Sequence, residues 1–199
     1  VLDELYPNVP FLFNLIGACY KQLGKLELSM KMFEKAVGIE PNYAEAYKNL
    51  GITYKDLGQY ENGARSFKKS LALDPNNADT YYHLALSLRQ IGQFKEAIEN
   101  YQIVIKFKPE FAQAHNNLGN IYKELNQYED AIDCYKKAIE IYPKFALAHN
   151  NLGNIYKELN QYEDAIDCYK KAIEIDPGFA EAHNNLGNVF YDLKQIDKA

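Results

Sequence analysis

The chain of 199 residues has no tryptophan, two methionines, three cysteines and seven prolines, and no apolar run long enough to cross a bilayer. Its longest apolar stretch, residues 11–20, is interrupted by Asn14 and falls well short of the roughly 20 residues a membrane-spanning helix needs. Cys19, Cys134 and Cys168 are odd in number and lie in no CxxC or His-Cys cluster, which excludes a disulfide framework and a zinc site and suits free, buried thiols in a reducing compartment. Basic charge is not in excess either. Twenty-two Lys and Arg against 27 Asp and Glu leave a formal charge of −5, the wrong sign for a nucleic-acid footprint. The opening Val-Leu-Asp-Glu-Leu is acidic where a secretory signal would be basic and carries no initiator Met, so a cytoplasmic fragment is the expectation. Hydrophobic residues at 47% and charged residues at 25% belong to a folded soluble chain.

What is present is a period. Stepping by 34 from Gly17 gives Gly51, Ala85, Gly119, Gly153 and Gly187, and the same step links Pro7, Pro41, Pro75, Pro109, Pro143 and Pro177. With slot 1 set seven residues before that small residue, repeats run over 10–43, 44–77, 78–111, 112–145 and 146–179, with a partial repeat over 180–199 and residues 1–9 as the stub of a preceding unit. Apolar residues at slots 4, 7, 8 and 11, and again at 20, 24, 27 and 28, predict two amphipathic helices, A and B, per repeat. Gly24, Gly58, Gly92, Asn126 and Asn160 at slot 15 suit the left-handed residue that ends helix A. Proline at slot 32 stops helix B. The expectation is an all-α chain with no strand and a helical content well above one-third.

An aromatic residue or His at slot 4, Leu at 7, Gly at 8, Tyr at 11, Ala at 20, an aromatic at 24, Ala at 27 and Pro at 32 resemble the tetratricopeptide repeat family over essentially the whole chain. That resemblance implies a single array, a right-handed α-solenoid of stacked 34-residue helix-turn-helix units. Ser29 and Gly63 at slot 20, Ser70 and Val104 at slot 27, and Ala85 at slot 8 depart from the pattern and predict looser packing in the first three repeats. Residues 111–141 and 145–175 differ only at Gln113 and Leu147, which points to recent duplication or deliberate engineering.

No phosphate loop, dinucleotide fingerprint, HExxH or GxSxG motif occurs, and no catalytic residue, metal or cofactor is expected. His115, His149 and His183 at slot 4 read as packing residues, and Glu129-Asp130 as acids favoured by a helix start. The face of helix A left over after packing, slots 2, 5, 6, 9, 12, 13 and 16, is more informative. In repeat four it holds Gln113, Asn116, Asn117, Asn120, Lys123, Glu124 and Gln127. Asparagine is a poor helix-interior residue, so several at fixed slots suggest use. The candidate ligand-binding set is Asn49, Asn117, Asn151 and Asn185 at slot 6, Asn120, Asn154 and Asn188 at slot 9, and Lys123 and Lys157 at slot 12. An amide offers donors and an acceptor, so a column of them suits the backbone of an extended peptide.

The slot-6 column is similar to the asparagine ladder of the O-GlcNAc transferase repeat superhelix, as are the strings His-Asn-Asn-Leu-Gly-Asn-Ile-Tyr-Lys-Glu and Asp-Cys-Tyr-Lys-Lys-Ala-Ile-Glu-Ile. Leu15 and His83 interrupt it. The carboxylate clamp of the family's co-chaperones is not matched, because Lys48 is followed by Ile52 where that pattern has Asn. These observations predict a scaffold that binds a protein or peptide, with no nucleic acid or membrane partner. Two other readings stay open: a recruiting arm of a larger glycosyltransferase-type or sulfotransferase-type enzyme, and a structural or designed array without a specific ligand. At the C-terminus, Leu186, Phe190 and Leu193 are expected to lack their helix-B partner. That face would then associate end to end or across a two-fold axis.

Overall fold

The computed structural model describes residues 8–196. Eleven α-helices and no strand occur among them: α1 (Pro10–Gln22), α2 (Leu26–Ile39), α3 (Ala44–Asp56), α4 (Tyr60–Leu73), α5 (Ala78–Gln90), α6 (Phe94–Phe107), α7 (Ala112–Glu124), α8 (Tyr128–Ile141), α9 (Ala146–Glu158), α10 (Tyr162–Ile175) and α11 (Ala180–Ile196). Odd-numbered helices are helices A, and each begins at a slot-1 residue. The proposed stub over residues 1–7 and the Ala199 start of a last helix B lie outside the described residues.

The chain divides into two compact units at Phe107 and Lys108. In the first, α1 pairs with α2, α3 with α4 and α5 with α6, while α2 also packs on α3 and α4 on α5. The second repeats this with α7 on α8, α9 on α10, and α11 on α10.

Local chemistry sets the hairpins. Gly58 adopts φ 74° and Asn126 φ 57°, the left-handed region open to these two residue types. At Asn126 the following amide, from Gln127, donates to the Tyr122 carbonyl at 2.8 Å while Asn126 N–H donates to Lys123, closing the end of helix A as a Schellman motif. Helix B stops two residues before each slot-32 proline, and the residue between, such as Tyr142 at φ −131°, is extended as a pre-proline residue must be.

Inside four of the five described hairpins a glycine of helix A lies under an aromatic ring of helix B, the third having Ala85 at that slot. A Cβ added to Gly51 would stand 2.6 Å from Phe67, and one on Gly119 2.8 Å from Tyr135. Phe33, Phe67, Tyr135 and Tyr169 are all buried on these glycines. Between repeats the seam is apolar in the second unit, where Ala131 and Tyr135 pack with Leu152 and Ile155, and Ala165 and Tyr169 with Val189. In the first unit Ser29 and Thr53 occupy that seam with their hydroxyls 3.5 Å apart, and the Ser70 hydroxyl donates to the Ala44 carbonyl at 2.8 Å.

Two expectations are corrected here. Packing is not looser at Ser29, Ser70 and Val104, which are buried, because the two serines meet specific polar partners there. Cys19 is exposed rather than buried. Leu186 and Leu193 are partly buried against Ala165, Tyr169 and Val189, while Phe190 is half exposed.

Candidate functional site

In the second unit the amide face is built by α7, α9 and α11. Slot-5 residues Asn116 and Asn150 point inward and are buried, whereas Asn117, Asn120, Asn151, Asn154 and Asn185 are half-buried and Asn188 is exposed. Hydrogen bonds tie successive repeats together through these side chains. Asn151 Nδ2 donates to Asn116 Oδ1 at 3.0 Å and to Asn120 Oδ1 at 3.2 Å. One repeat later, Asn185 Nδ2 donates to Asn150 Oδ1 at 3.1 Å and to Asn154 Oδ1 at 3.0 Å. The first unit keeps half of the pattern: Asn49 Nδ2 donates to Asn14 Oδ1 at 3.0 Å, and Ala18 stands where a slot-9 amide would be.

A second donor fixes the slot-9 amides. Tyr135 Oη donates to Asn120 Oδ1 and Tyr169 Oη to Asn154 Oδ1, each at 2.8 Å. Burial raises the Tyr169 phenol well above its ordinary range, so it stays protonated as a donor. The Oδ1 atoms of Asn120 and Asn154 thus each accept two hydrogen bonds, which orients these amides and leaves their Nδ2 hydrogens without a protein acceptor among the described residues. For Asn151 and Asn185 the reverse holds: Nδ2 is spent between repeats and Oδ1 is open. Asn150 is completed by Glu181, which accepts its Nδ2 at 2.9 Å.

Alanine at Asn151 would therefore remove an amide that joins two repeats, so its better helix propensity does not by itself decide stability there. The sequence analysis overlooked Asn14, Asn116 and Asn150 as inner partners, and Tyr135 and Tyr169 as polar ones. A partial signal existed: both repeats with asparagine at slot 9 and a described slot 24 have tyrosine there, whereas Phe33 accompanies Ala18 and Phe67 accompanies Ile52, although Tyr101 accompanies Leu86.

A charged row borders the amides. Lys123 pairs with Glu158 at 3.2 Å and Lys157 with Asp192 at 3.4 Å, as Lys21 does with Asp56 at 3.3 Å in the first unit. Each candidate lysine is thus neutralised by the acid of the next repeat. These partly exposed pairs contribute at most about 1 kcal/mol apiece.

The slot-4 histidines are held by the preceding turn: His115, His149 and His183 place Nε2 3.0–3.1 Å from the carbonyls of Pro109, Pro143 and Pro177. His83, which interrupts the slot-6 column, stacks on Phe67, and burial lowers its pKa to about 4, so it remains neutral. Burial pushes the Cys134 and Cys168 thiols up to about 12, away from the thiolate that nucleophilic chemistry requires. Among the described residues no cluster of His, Cys, Asp or Glu suits a metal ion, and no helix is long and apolar enough to cross a membrane.

Family models described as TPR repeat and tetratricopeptide repeat match residues 17–58, 85–125, 119–160 and 153–194, and 44–77 and 66–99. Among solved structures, one of MamA is 30% identical with a TM-score of 0.78, covering 83% of this chain and 97% of its own. MamA residues 41 to the end from Desulfovibrio magneticus RS-1 are 25% identical at a TM-score of 0.81, with coverage of 86% and 97%. YrrB, described as a TPR protein with an unusual peptide-binding site, is 22% identical at 0.77, with coverage of 92% and 94%. A search of curated protein sequences finds no match.

Proposed function

We propose that this chain, which belongs to the tetratricopeptide repeat family, is a non-catalytic, cytoplasmic protein-interaction module that holds an extended peptide on the amide face of its helices A. The observation that carries this reading is the division of labour within each amide. In Asn120, Asn151, Asn154 and Asn185 one atom of the side-chain amide is committed to the fold, and the other is left for a ligand with a fixed orientation.

The outward set alternates donors, the Nδ2 groups of Asn120 and Asn154, with acceptors, the Oδ1 atoms of Asn151 and Asn185. A peptide backbone offers the complementary carbonyls and N–H groups at every residue. Neighbouring helices lie about 8–10 Å apart and an extended chain advances about 3.3 Å per residue, so one repeat serves about three peptide residues. The self-paired Lys and acid row adds little charge preference, which suits recognition of the backbone over side chains. Asn188, exposed beside them, and Asn117 extend the same surface. YrrB, a protein of this fold, is described as having a peptide-binding site, which supports the reading.

The test uses Asn→Asp exchanges. In Asn120→Asp/Asn154→Asp the carboxylates still accept from Tyr135, Tyr169, Asn151 and Asn185, so the fold is retained, while the outward donors are replaced by acceptors. On an array of randomised peptides of about nine residues, the variant is expected to lose binding across sequences by about tenfold, the worth of one or two hydrogen bonds. Unchanged array binding with an unchanged melting temperature would return the amides to a purely structural role.

A further inference from the structure

A second surface lies away from the amides. A cavity of about 210 Å³ opens in the first unit between α2, α3 and α4. Its floor is Val37, Tyr47, Leu50 and Ser66, the last three buried, and the Ser66 hydroxyl is already donated to the Asn62 carbonyl. Arg65 and Lys69, one turn apart on α4, stand at its mouth. Neither forms an ion pair among the described residues. The Lys69 ammonium rests 5.2 Å above the Tyr47 ring, which leaves its N–H donors toward solvent.

Repeats three to five treat these two slots differently, whereas repeat one also carries two cations there, Lys31 and Lys35, with Lys35 5.3 Å above the Phe13 ring. Where α4 has Arg65, α8 and α10 have Asp133 and Asp167. Lys137 and Lys171, the counterparts of Lys69, are neutralised by Glu140 and Glu174 at 2.9 and 2.8 Å, whereas three residues beyond Lys69 the chain has Ala72. Glu34 accepts the hydroxyl of Tyr54, which lines the cavity, at 2.7 Å and so has one oxygen occupied. The result is an apolar floor under two cations that lack counter-ions. At about 210 Å³ the space is below the roughly 300–1,000 Å³ of small-molecule sites and holds one or two side chains.

We propose that this cavity is a second docking site, for a partner-protein segment that sets an acidic side chain between Arg65 and Lys69 and an adjacent aliphatic side chain on Val37 and Leu50. It is independent of the amide face, and either reading stands if the other fails.

The test is a titration of the ¹⁵N-labelled chain, followed by amide chemical shifts. The probes are a capped peptide, Gly-Ser-Asp-Leu-Ser-Gly, its Asn-Leu counterpart, and inorganic phosphate. The acidic peptide is expected to shift signals of Val37, Leu50, Arg65 and Lys69 and not those of Asn120 or Asn154. It should bind about tenfold more tightly than the Asn-Leu peptide, the worth of a charge-assisted contact. Arg65→Gln/Lys69→Gln should remove that advantage with unchanged circular dichroism. If the double variant fails to fold, Arg65→Gln alone, on an exposed side chain, carries the comparison. Equal binding of the two peptides, shifts confined to other residues, no binding, or phosphate reproducing the same shifts at the same midpoint would each overturn the proposal.

Discussion

Replacing Asn154 with alanine is expected to destabilise the second unit by about 1–3 kcal/mol, measured by urea unfolding, although alanine is the better helix former by at most about 0.7 kcal/mol. The reason is the double acceptance at Oδ1. Without it the hydroxyl of Tyr169, a fully buried residue, has no acceptor, and Asn185 Nδ2 keeps only Asn150. Leaving a buried donor unpaired costs more than the mean worth of the hydrogen bond. The first unit supplies its own control, since Ile52 there faces Phe67 at the same two slots. Asn154→Ile combined with Tyr169→Phe removes donor and acceptor together and should recover stability to within about 1 kcal/mol of the parent chain. A double variant no more stable than Asn154→Ala would show that the tyrosine hydroxyl is not the source of the loss.

The larger effect belongs to the glycine contact. Phe67→Ala should cost about 3–5 kcal/mol, because the ring is fully buried, stacks on His83 at 5.9 Å and fills the space above Gly51. Gly51→Ala in the parent chain puts a Cβ 2.6 Å from that ring and should cost about 1–3 kcal/mol. The lower end is favoured by the third repeat, where Ala85 and Tyr101 occupy the same slots and are both fully buried. In the Phe67→Ala background the clash is gone, so Gly51→Ala should become neutral or stabilising by up to about 1 kcal/mol. A thermodynamic cycle over the four chains reads this coupling directly. Additive effects would contradict close packing of glycine on ring as the basis of the hairpin.

The fold was legible because each of its determinants is a single residue at a fixed slot. Gly24 and Asn126 end helices through their own φ angles, Pro143 stops α8 by its own ring, and Gly119 admits a ring by lacking a Cβ. The amide face was half legible. Its outward residues repeat visibly, but what each amide bonds depends on a neighbour 31 or 35 positions away, as with Asn151 on Asn120 and Asn116. Counted along one helix, these asparagines are merely unfavourable. Across repeats they link one unit to the next, and this inter-repeat role outweighs the helix cost. Ser29 and Ser70 misled for a related reason, since their compensation comes from residues distant in sequence, Thr53 in the following repeat and the Ala44 carbonyl 26 positions earlier in the same repeat.

Backbone recognition by the amide face is tested most directly by exchanging one backbone amide for an ester in the tightest peptide from the array and measuring both affinities by calorimetry. The ester keeps every side chain but deletes one N–H and weakens the adjoining carbonyl. At a position facing Asn151 or Asn185 the ester should bind about tenfold more weakly than the amide, while the Asn120→Asp/Asn154→Asp chain, already weak, should lose less. Equal affinity of ester and amide at every position scanned would contradict the account.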